Sequence, residues 1–517
     1  MERTVVEAAT GAQVTRSASE ATSSRVPVAT PTDGVGAAGR DHTSAIIAAA
    51  ALVAAGLTVL QLSRPGFLFG ESKDVGTYLG AAIRLLHGAL PYRDYVYVQP
   101  PGFVLLASPY ALISELAGSR AALVALRLTT PALSAASVVM VGILLRHRGH
   151  RATLVGCGLL ALWPAVFFSL DNGMLEPFEN LFCLIGASLA FNRDALAGAR
   201  RLFIAGVLFG LAGTVKAPAI LPVVVLVVLC WPQVRYHLVP FASGVVAGFA
   251  VPVLPFLVSA PSAFFRDVVA TQLLRSPGAG GRASIGLRLG ALTFGGRGLV
   301  ILLQLAVLAG VVLLALAVPK RLSPLEWFAL GATALTGAAQ FGTVQYYPQY
   351  AAFVAPFAAL LLGISVGRIG SWRMPRLTSA VAVAGLSLLL VSQAIRIAEG
   401  SQADDSRAVE AAIPVGGCVV SNNVTLLVAS DRFISATPGC TEMTDPGGTE
   451  LAFATDPDAG VGAYRAALSQ ANYLVVDGPL TTWLIGPYAP LNTFVAQHYH
   501  LIRPGRVAVY ARDGIAG

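Results

Sequence analysis

Apolar residues in this chain come in long runs rather than in alternation. Runs with almost no charge occupy about 43–63, 120–145, 152–170, 177–192, 202–215, 217–232, 238–258, 299–318, 325–341, 351–367 and 378–395. A bilayer core about 30 Å thick takes roughly 20 such residues wound as a helix. The pattern therefore predicts an α-helical polytopic membrane protein with about eleven transmembrane helices. A membrane barrel is excluded, because its strands would alternate between lipid-facing and lumen-facing positions. The stretch 101–117 is apolar too, but Pro109 and Glu115 interrupt it and it is barely long enough to cross. It is predicted to lie on the outer interface, inside a first outer loop of residues 64–119. Residues 1–42 lack aromatics and mix small with charged residues, the composition of a disordered cytoplasmic tail. No small-residue cleavage pattern ends the run at 43–63, which reads as an anchor rather than a signal peptide.

Composition strengthens this picture. Of 517 residues 55% are hydrophobic and only 12% charged, with a mean hydropathy of +0.69; a soluble domain carries about 25% charged residues. Charge placement then sets the expected orientation. Arg146, Arg148 and Arg151, Arg193, Arg200 and Arg201, Arg235, Lys320 and Arg321, and Arg368, Arg373 and Arg376 fall in alternate connections. The connections at 171–176 and 342–350 hold no Lys or Arg. The excess of basic residues in cytoplasmic loops puts the first set inside. The amino terminus is then cytoplasmic and the region 397–517 extracytoplasmic, with 43–395 as the membrane domain. Membrane lipids are the implied surroundings, and nothing points to nucleic acid.

Two polar regions stand out. In the first outer loop, Val75, Leu79, Ala82, Ile83 and Leu86 recur at helical spacing between Asp74 and Gly88, and a second helix is framed by Pro101 and Gly118. In the tail, the strand-like runs 418–421, 472–477 and 507–512 alternate with helical patterns near 403–412, 460–470 and 489–498, which predicts a small α/β domain. Cys418 and Cys440 lie 22 positions apart in it and are able to form a disulfide if it faces an oxidising space. The triplet Asn423-Val424-Thr425 matches a glycan acceptor pattern that is common by chance and carries no weight here.

Ionisable residues are costly near a bilayer, so those retained are functional candidates. Ten acids lie between 43 and 395, and Glu71, Asp74, Asp94, Glu115, Asp171, Glu176 and Asp267 belong to outer loops on this topology. Glu179 sits just inside a span. No phosphate-cradling loop of the Walker type is present, and the acids gather on the face away from cytoplasmic nucleotides. Each candidate also has a plain structural reading. Asp74 fits a helix N-cap. Asp171 and Glu176 fit solvated loop ends. Lys216 fits a snorkelling span end, the arginines between 259 and 298 fit headgroup contacts, and Tyr346, Tyr347 and Tyr350 fit an interfacial aromatic belt. Arg127 lies deeper, where a phosphate or carboxylate partner is expected.

The segments ESKDVGTYLGAAIRLL (71–86), HGALPYRDY (87–95) and VQPPGF (98–103) resemble the opening outer loop of GT-C glycosyltransferases. These are integral membrane enzymes that use polyprenyl-phosphate sugars, among them the protein O-mannosyltransferases and the lipid A aminoarabinose transferase. Arg127, DNGMLEPFEN (171–180), GTVKAP (213–218) and QYYPQYAAFVAP (345–356) extend the likeness, which covers about 43–395. It implies a GT-C-like membrane domain and a catalytic base at Asp74. Many members carry an Asp-Glu pair at that place; here Val75 follows Asp74 and Glu71 lies upstream as a second catalytic candidate.

The chemistry is consistent with one base. A sugar on polyprenyl phosphate already has a good leaving group, so the two carboxyl groups of a glycosidase are not needed. A carboxylate ionised near neutrality accepts the proton of the attacking hydroxyl, a step worth roughly 10² to 10⁴-fold. Arg127, Lys216 and outer arginines such as Arg266, Arg275, Arg282, Arg288 and Arg297 are the candidates to neutralise the departing phosphate. Asp171, Glu176, Tyr346 and Tyr347 are candidate acceptor or auxiliary groups. The expected activity is inverting transfer of a sugar, mannose in the leading reading, from the lipid donor to a hydroxyl on an envelope glycan, lipid or protein. No cofactor or metal site is predicted, although a divalent ion is compatible. The rival reading is a secondary transporter or lipid-linked sugar flippase, disfavoured because no internal repeat is visible.

Overall fold

The computed structural model describes residues 34–69, 72–275, 283–294, 296–372 and 375–515. Most of the tail 1–42 lies outside them, as does Glu71, but the chain is already helical from Gly34, so the anchor helix Gly34–Leu62 starts earlier than the hydropathy pattern indicates. Among the described residues six helices are long and apolar enough to cross a membrane: His42–Leu62, Ser119–Arg148, Ala217–Ser259, Leu299–Leu316, Tyr350–Gly370 and Ser379–Glu399. A seventh arises if His150–Leu162 and Pro164–Asp171, bent by 46°, form one span. Trp163 is extended at the bend, the conformation a following proline favours. Helices Glu176–Ala190, Ala199–Val215 and Pro324–Gly342 occupy the other predicted runs but are shorter or less apolar. Ala217–Ser259 is a 43-residue apolar stretch, read from sequence as two spans. A 3-10 and π segment at 231–238, carrying Arg235 and His237, divides it. The fold class stands, and the number eleven is not confirmed.

Packing follows the small residues. Ala199–Val215 lies against Val239–Ser259, where Gly206 and Gly210 face Gly244 and Gly248. A Cβ on any of the four would stand 2.1 to 2.3 Å from a carbonyl oxygen of the partner helix. Membrane helices approach this closely only through glycine-sized surfaces. The pair fixes the direction of the helix that ends at Lys216.

The loops rich in arginine meet at one end of the bundle. Arg148 pairs with Asp194 and Glu326, and Arg368 reaches Glu326 at 2.9 Å. Glu326 also closes a capping box with Ser323 at the start of its helix.

At the other end sit the first loop and the tail domain. Lys73–Leu86 is a helix, and Gly102–Ala117 is a second one with Pro101 at its N-cap and Gly118, at φ 87°, after its end. Val75, Leu79, Ala82 and Ile83 of the first are buried as the periodicity indicates, whereas Leu86 is exposed. Beyond a two-residue hairpin, β1 (Phe191–Asn192) with β2 (Ala195–Leu196), the remaining strands belong to the tail. β3 (Val419–Ser421), β4 (Tyr473–Asp477), β5 (Tyr499–Arg503) and β6 (Val507–Arg512) form one mixed sheet in the order β3-β4-β6-β5. The β3–β4 pair is parallel and the others antiparallel. Cys418 and Cys440 are bonded to each other, with Cα atoms 5.6 Å apart.

The tail rests directly on the first loop. Asp431 accepts from Arg120 N at 2.8 Å and Ser119 Oγ at 3.1 Å, thereby capping the helix Ser119–Leu128 from outside its own segment. If this domain is extracytoplasmic, an impermeant maleimide applied to intact cells should label Cys418 and Cys440 only after reduction. Labelling without reductant would contradict the disulfide, and failure of reduced, intact cells to label would contradict the orientation.

Candidate functional site

Three stretches of chain end at one cavity. The helix Lys73–Leu86 brings Asp74 to it as its second residue. The N-cap is Ser72, so Asp74 is not the cap that its sequence context allows. Among the described residues nothing hydrogen-bonds its carboxylate, which leaves both oxygens available to a ligand. Enclosure by the cavity walls pushes Asp74 above the ordinary aspartate range; Lys216 opposes that shift, Glu176 adds to it, and Arg275 opposes it.

Lys216 reaches the cavity because a helix stops. Ala199–Val215 ends where Lys216 turns extended (φ −153°, ψ 138°), and Pro218 bars continuation. Its ammonium pairs with Glu176, which is 1% exposed, and stands 4.5 Å from the centre of the Tyr350 ring. A buried lysine needs such partners, since an unpaired charge there costs several kcal/mol. Arg275 lies on the same wall, donating to Tyr350 Oη at 3.2 Å.

The cavity measures about 980 Å³ and is lined by Lys73, Asp74, Lys216, Arg275, Tyr347 and Tyr350 from the membrane domain. A second one of about 490 Å³ adjoins it, sharing Gln99, Lys216, Arg275, Gln345 and Tyr350. Its further wall is largely apolar, with Leu221, Val268, Leu273, Val344 and Phe353, and includes Glu176 and Glu179. The cations thus stand between a polar chamber and an oily groove.

Other sequence candidates are placed elsewhere. Arg127 is fully buried and donates to the carbonyl oxygens of Phe67 and of Asp171, the latter at 3.1 Å. Asp171 accepts from Gln61 Nε2 at 2.6 Å. Neither lines either cavity; they tie the anchor helix to Ser119–Leu128 and Pro164–Asp171. Arg127 therefore holds helices together where sequence reasoning gave it the donor phosphate. Tyr346 is buried with its ring 5.0 Å from the Arg288 guanidinium, and only Tyr347 of the two faces the chamber. Arg288 is committed to the carbonyls of Gln340 and Thr343, and Arg266 to Asp267. Arg282 and Glu71 lie outside the described residues.

The far wall of the chamber is the tail domain, which sequence reasoning left without chemistry. Asn422, Asp445, Glu450 and Tyr488 line it. Asp445 accepts from Gly448 N at 2.7 Å as the N-cap of helix Pro446–Ala452, and burial raises its carboxyl to about 7. The run Thr444-Asp445-Pro446-Gly447-Gly448 marks a helix start in the sequence, but only the tertiary fold carries it to the site. Among the described residues no group of three His, Cys, Asp or Glu side chains is placed to hold a metal ion.

The model of glycosyltransferase family 87 matches residues 97–344, a segment that contains Glu176, Lys216 and Arg275 but neither Asp74 nor the tail. No curated protein matches the sequence significantly. Among solved structures, ArnT from Cupriavidus metallidurans bound to undecaprenyl phosphate is similar at a TM-score of 0.57 and 13% identity, over 94% of this chain and 99% of that one. The oligosaccharyltransferase of Archaeoglobus fulgidus, tethered with an acceptor peptide, is similar at 0.53 and 17% identity, over 91% of this chain and 74% of that one. The chain has the GT-C fold. Residues 97–344, just under half of the chain, thus resemble a glycosyltransferase family, and the solved neighbours show the fold alone.

The placement separates two arginines. On the expectation that a lipid-phosphate donor binds at these cavities, Arg275→Ala should raise its KM roughly 10-fold, the loss of one charge-assisted contact, without lowering the yield of folded protein. Arg127→Met should cost roughly 3 kcal/mol of stability and leave the donor KM of the surviving protein unchanged. Thermal unfolding in detergent together with donor titration measures both.

Proposed function

We propose that the protein transfers a sugar, mannose in the preferred reading, from polyprenyl phosphate to a hydroxyl acceptor on the outer face of the membrane, with inversion at the anomeric carbon. The single observation that carries this is the shared wall: Asp74 on the chamber side, Lys216 and Arg275 at the boundary with the apolar groove. The groove suits a polyprenyl chain, and the ArnT neighbour is a complex with undecaprenyl phosphate. The chamber suits the sugar and the acceptor, which on this reading is an envelope glycan, lipid or protein.

In the proposed step the acceptor oxygen attacks the anomeric carbon while the bond from that carbon to the phosphate oxygen breaks. The proton of the hydroxyl passes to Asp74. The lipid phosphate departs with the bonding pair, and Lys216 and Arg275 stabilise its charge. Glu176 holds Lys216 in place through their ion pair. One displacement with no covalent sugar intermediate inverts the centre. The step draws on no cofactor.

Asp74→Asn should lower transfer from polyprenyl-phosphate mannose by roughly 10² to 10⁴-fold while donor binding persists. The base must be ionised, so kcat/KM should fall as pH drops through the raised pKa of Asp74, with a midpoint above that of an exposed aspartate. The acid limb should persist in Asp445→Asn, whose target carboxyl also titrates high. Unimpaired transfer by Asp74→Asn in membranes fed radiolabelled donor would sink the mechanism, and a product of retained configuration would sink the single displacement.

A further inference from the structure

The tail domain does more than close the chamber. We propose that the hydroxyl of Thr425 sets the position of Asp74, which makes Thr425 a positioning residue for the transfer step; this rests on the reading of Asp74 as the base.

Thr425 is the second residue of helix Val424–Ala429 and is 1% exposed. Its Oγ1 accepts from the backbone N–H of Gly76 at 2.9 Å and donates to the backbone carbonyl of Ser72. Those two groups bracket Asp74 by two residues on each side. They are also the pair that delimits the first turn of its helix, so one hydroxyl spans that turn. Ser72 supplies no cap of its own: its side chain bonds to no N–H of the helix, and its Oγ is buried without a partner. A helix start normally satisfies these groups locally; here the satisfaction comes from a domain almost 350 residues further along the chain.

The fit is close enough to be specific. A Cβ on Gly76 would stand 2.3 Å from both Cα and N of Thr425, so only glycine permits the contact. One turn on, a Cβ on Gly80 would meet the Phe433 ring at 2.7 Å. On another side Gly173, at φ 62°, presses the 171–176 turn against Val75, where a Cβ would lie 2.6 Å from a Val75 methyl. The helix start is held by backbone contacts from two sides, whereas the Asp74 carboxylate has no hydrogen bond of its own among the described residues. Its aim is then inherited from the backbone of residues 72–76. Thr425 does not line the chamber, although Asn422 and Val424 do, so it acts through the helix and not on a substrate. The glycan-acceptor pattern of 423–425 is spent differently: Asn423 is buried and donates to Asp477 at 3.0 Å.

Misplacing a reacting group by about 1 Å costs on the order of 10²-fold in rate. In full-length protein fed radiolabelled polyprenyl-phosphate mannose, Thr425→Val keeps the shape and removes both bonds. It should lower kcat by roughly 10 to 100-fold with the donor KM within about twofold of wild type, and Thr425→Ser should recover most of kcat. Where Thr425→Val fails to accumulate, Thr425→Ser against Thr425→Ala makes the same comparison of hydroxyl with none. Full transfer by Thr425→Val beside an inactive Asp74→Asn overturns the inference alone. So does a change confined to KM, or loss of folded protein in both hydroxyl-free variants, which makes the residue purely structural. Active Asp74→Asn overturns the base assignment itself, and this inference with it.

Discussion

The site depends on where one membrane helix is made to stop. Lys216 is the first residue past Val215, and Pro218 ensures that the helix does not continue. A charge at that depth survives only with a counter-charge, and Glu176, in the first turn of the preceding helix Glu176–Ala190, supplies it. The break, the pair and the glycine-tight contact of Ala199–Val215 with Val239–Ser259 together fix an ammonium at the junction of chamber and groove. Everything proposed about leaving-group departure follows from that location.

The proposed base is held by different means. Asp74 belongs to a short helix that crosses nothing, and the helix owes its placement to the 171–176 turn on one side and to the tail domain on another. A polar reaction beside a membrane thus has one charge fixed from within the bundle and its opposite number fixed from outside it. The tail also contributes Asn422, Asp445 and Glu450 to the chamber wall, so the active region is complete only when both parts of the chain are folded together.

Much of this was legible in the sequence. The surface helices, with Pro101 and Gly118 as their markers, the strands of the tail and the Cys418–Cys440 pair all follow from local pattern. Asp74 and Lys216, which line one cavity, were conspicuous as candidates because isolated charges stand out in an apolar chain. Arg127 misled for the same reason: depletion of charge flags a residue without saying whether it meets a substrate or a backbone carbonyl, and here it meets Phe67 and Asp171. Asp445 and Thr425 were invisible as site residues, since a helix cap and a helical threonine are ordinary until tertiary contact brings them to Val98 and Gly76. The number of spans is not confirmed around Ala217–Ser259, because hydropathy reports burial in lipid and not where a helix turns.

The cluster of Arg148, Asp194, Glu326 and Arg368 knots together four connections at the end of the bundle remote from the chamber. Charge-assisted bonds are roughly twice as strong as neutral ones, so this cluster is a firm joint between those connections. Sideways entry of the proposed isoprenoid donor to Lys216 would take place in the half of the bundle away from this joint.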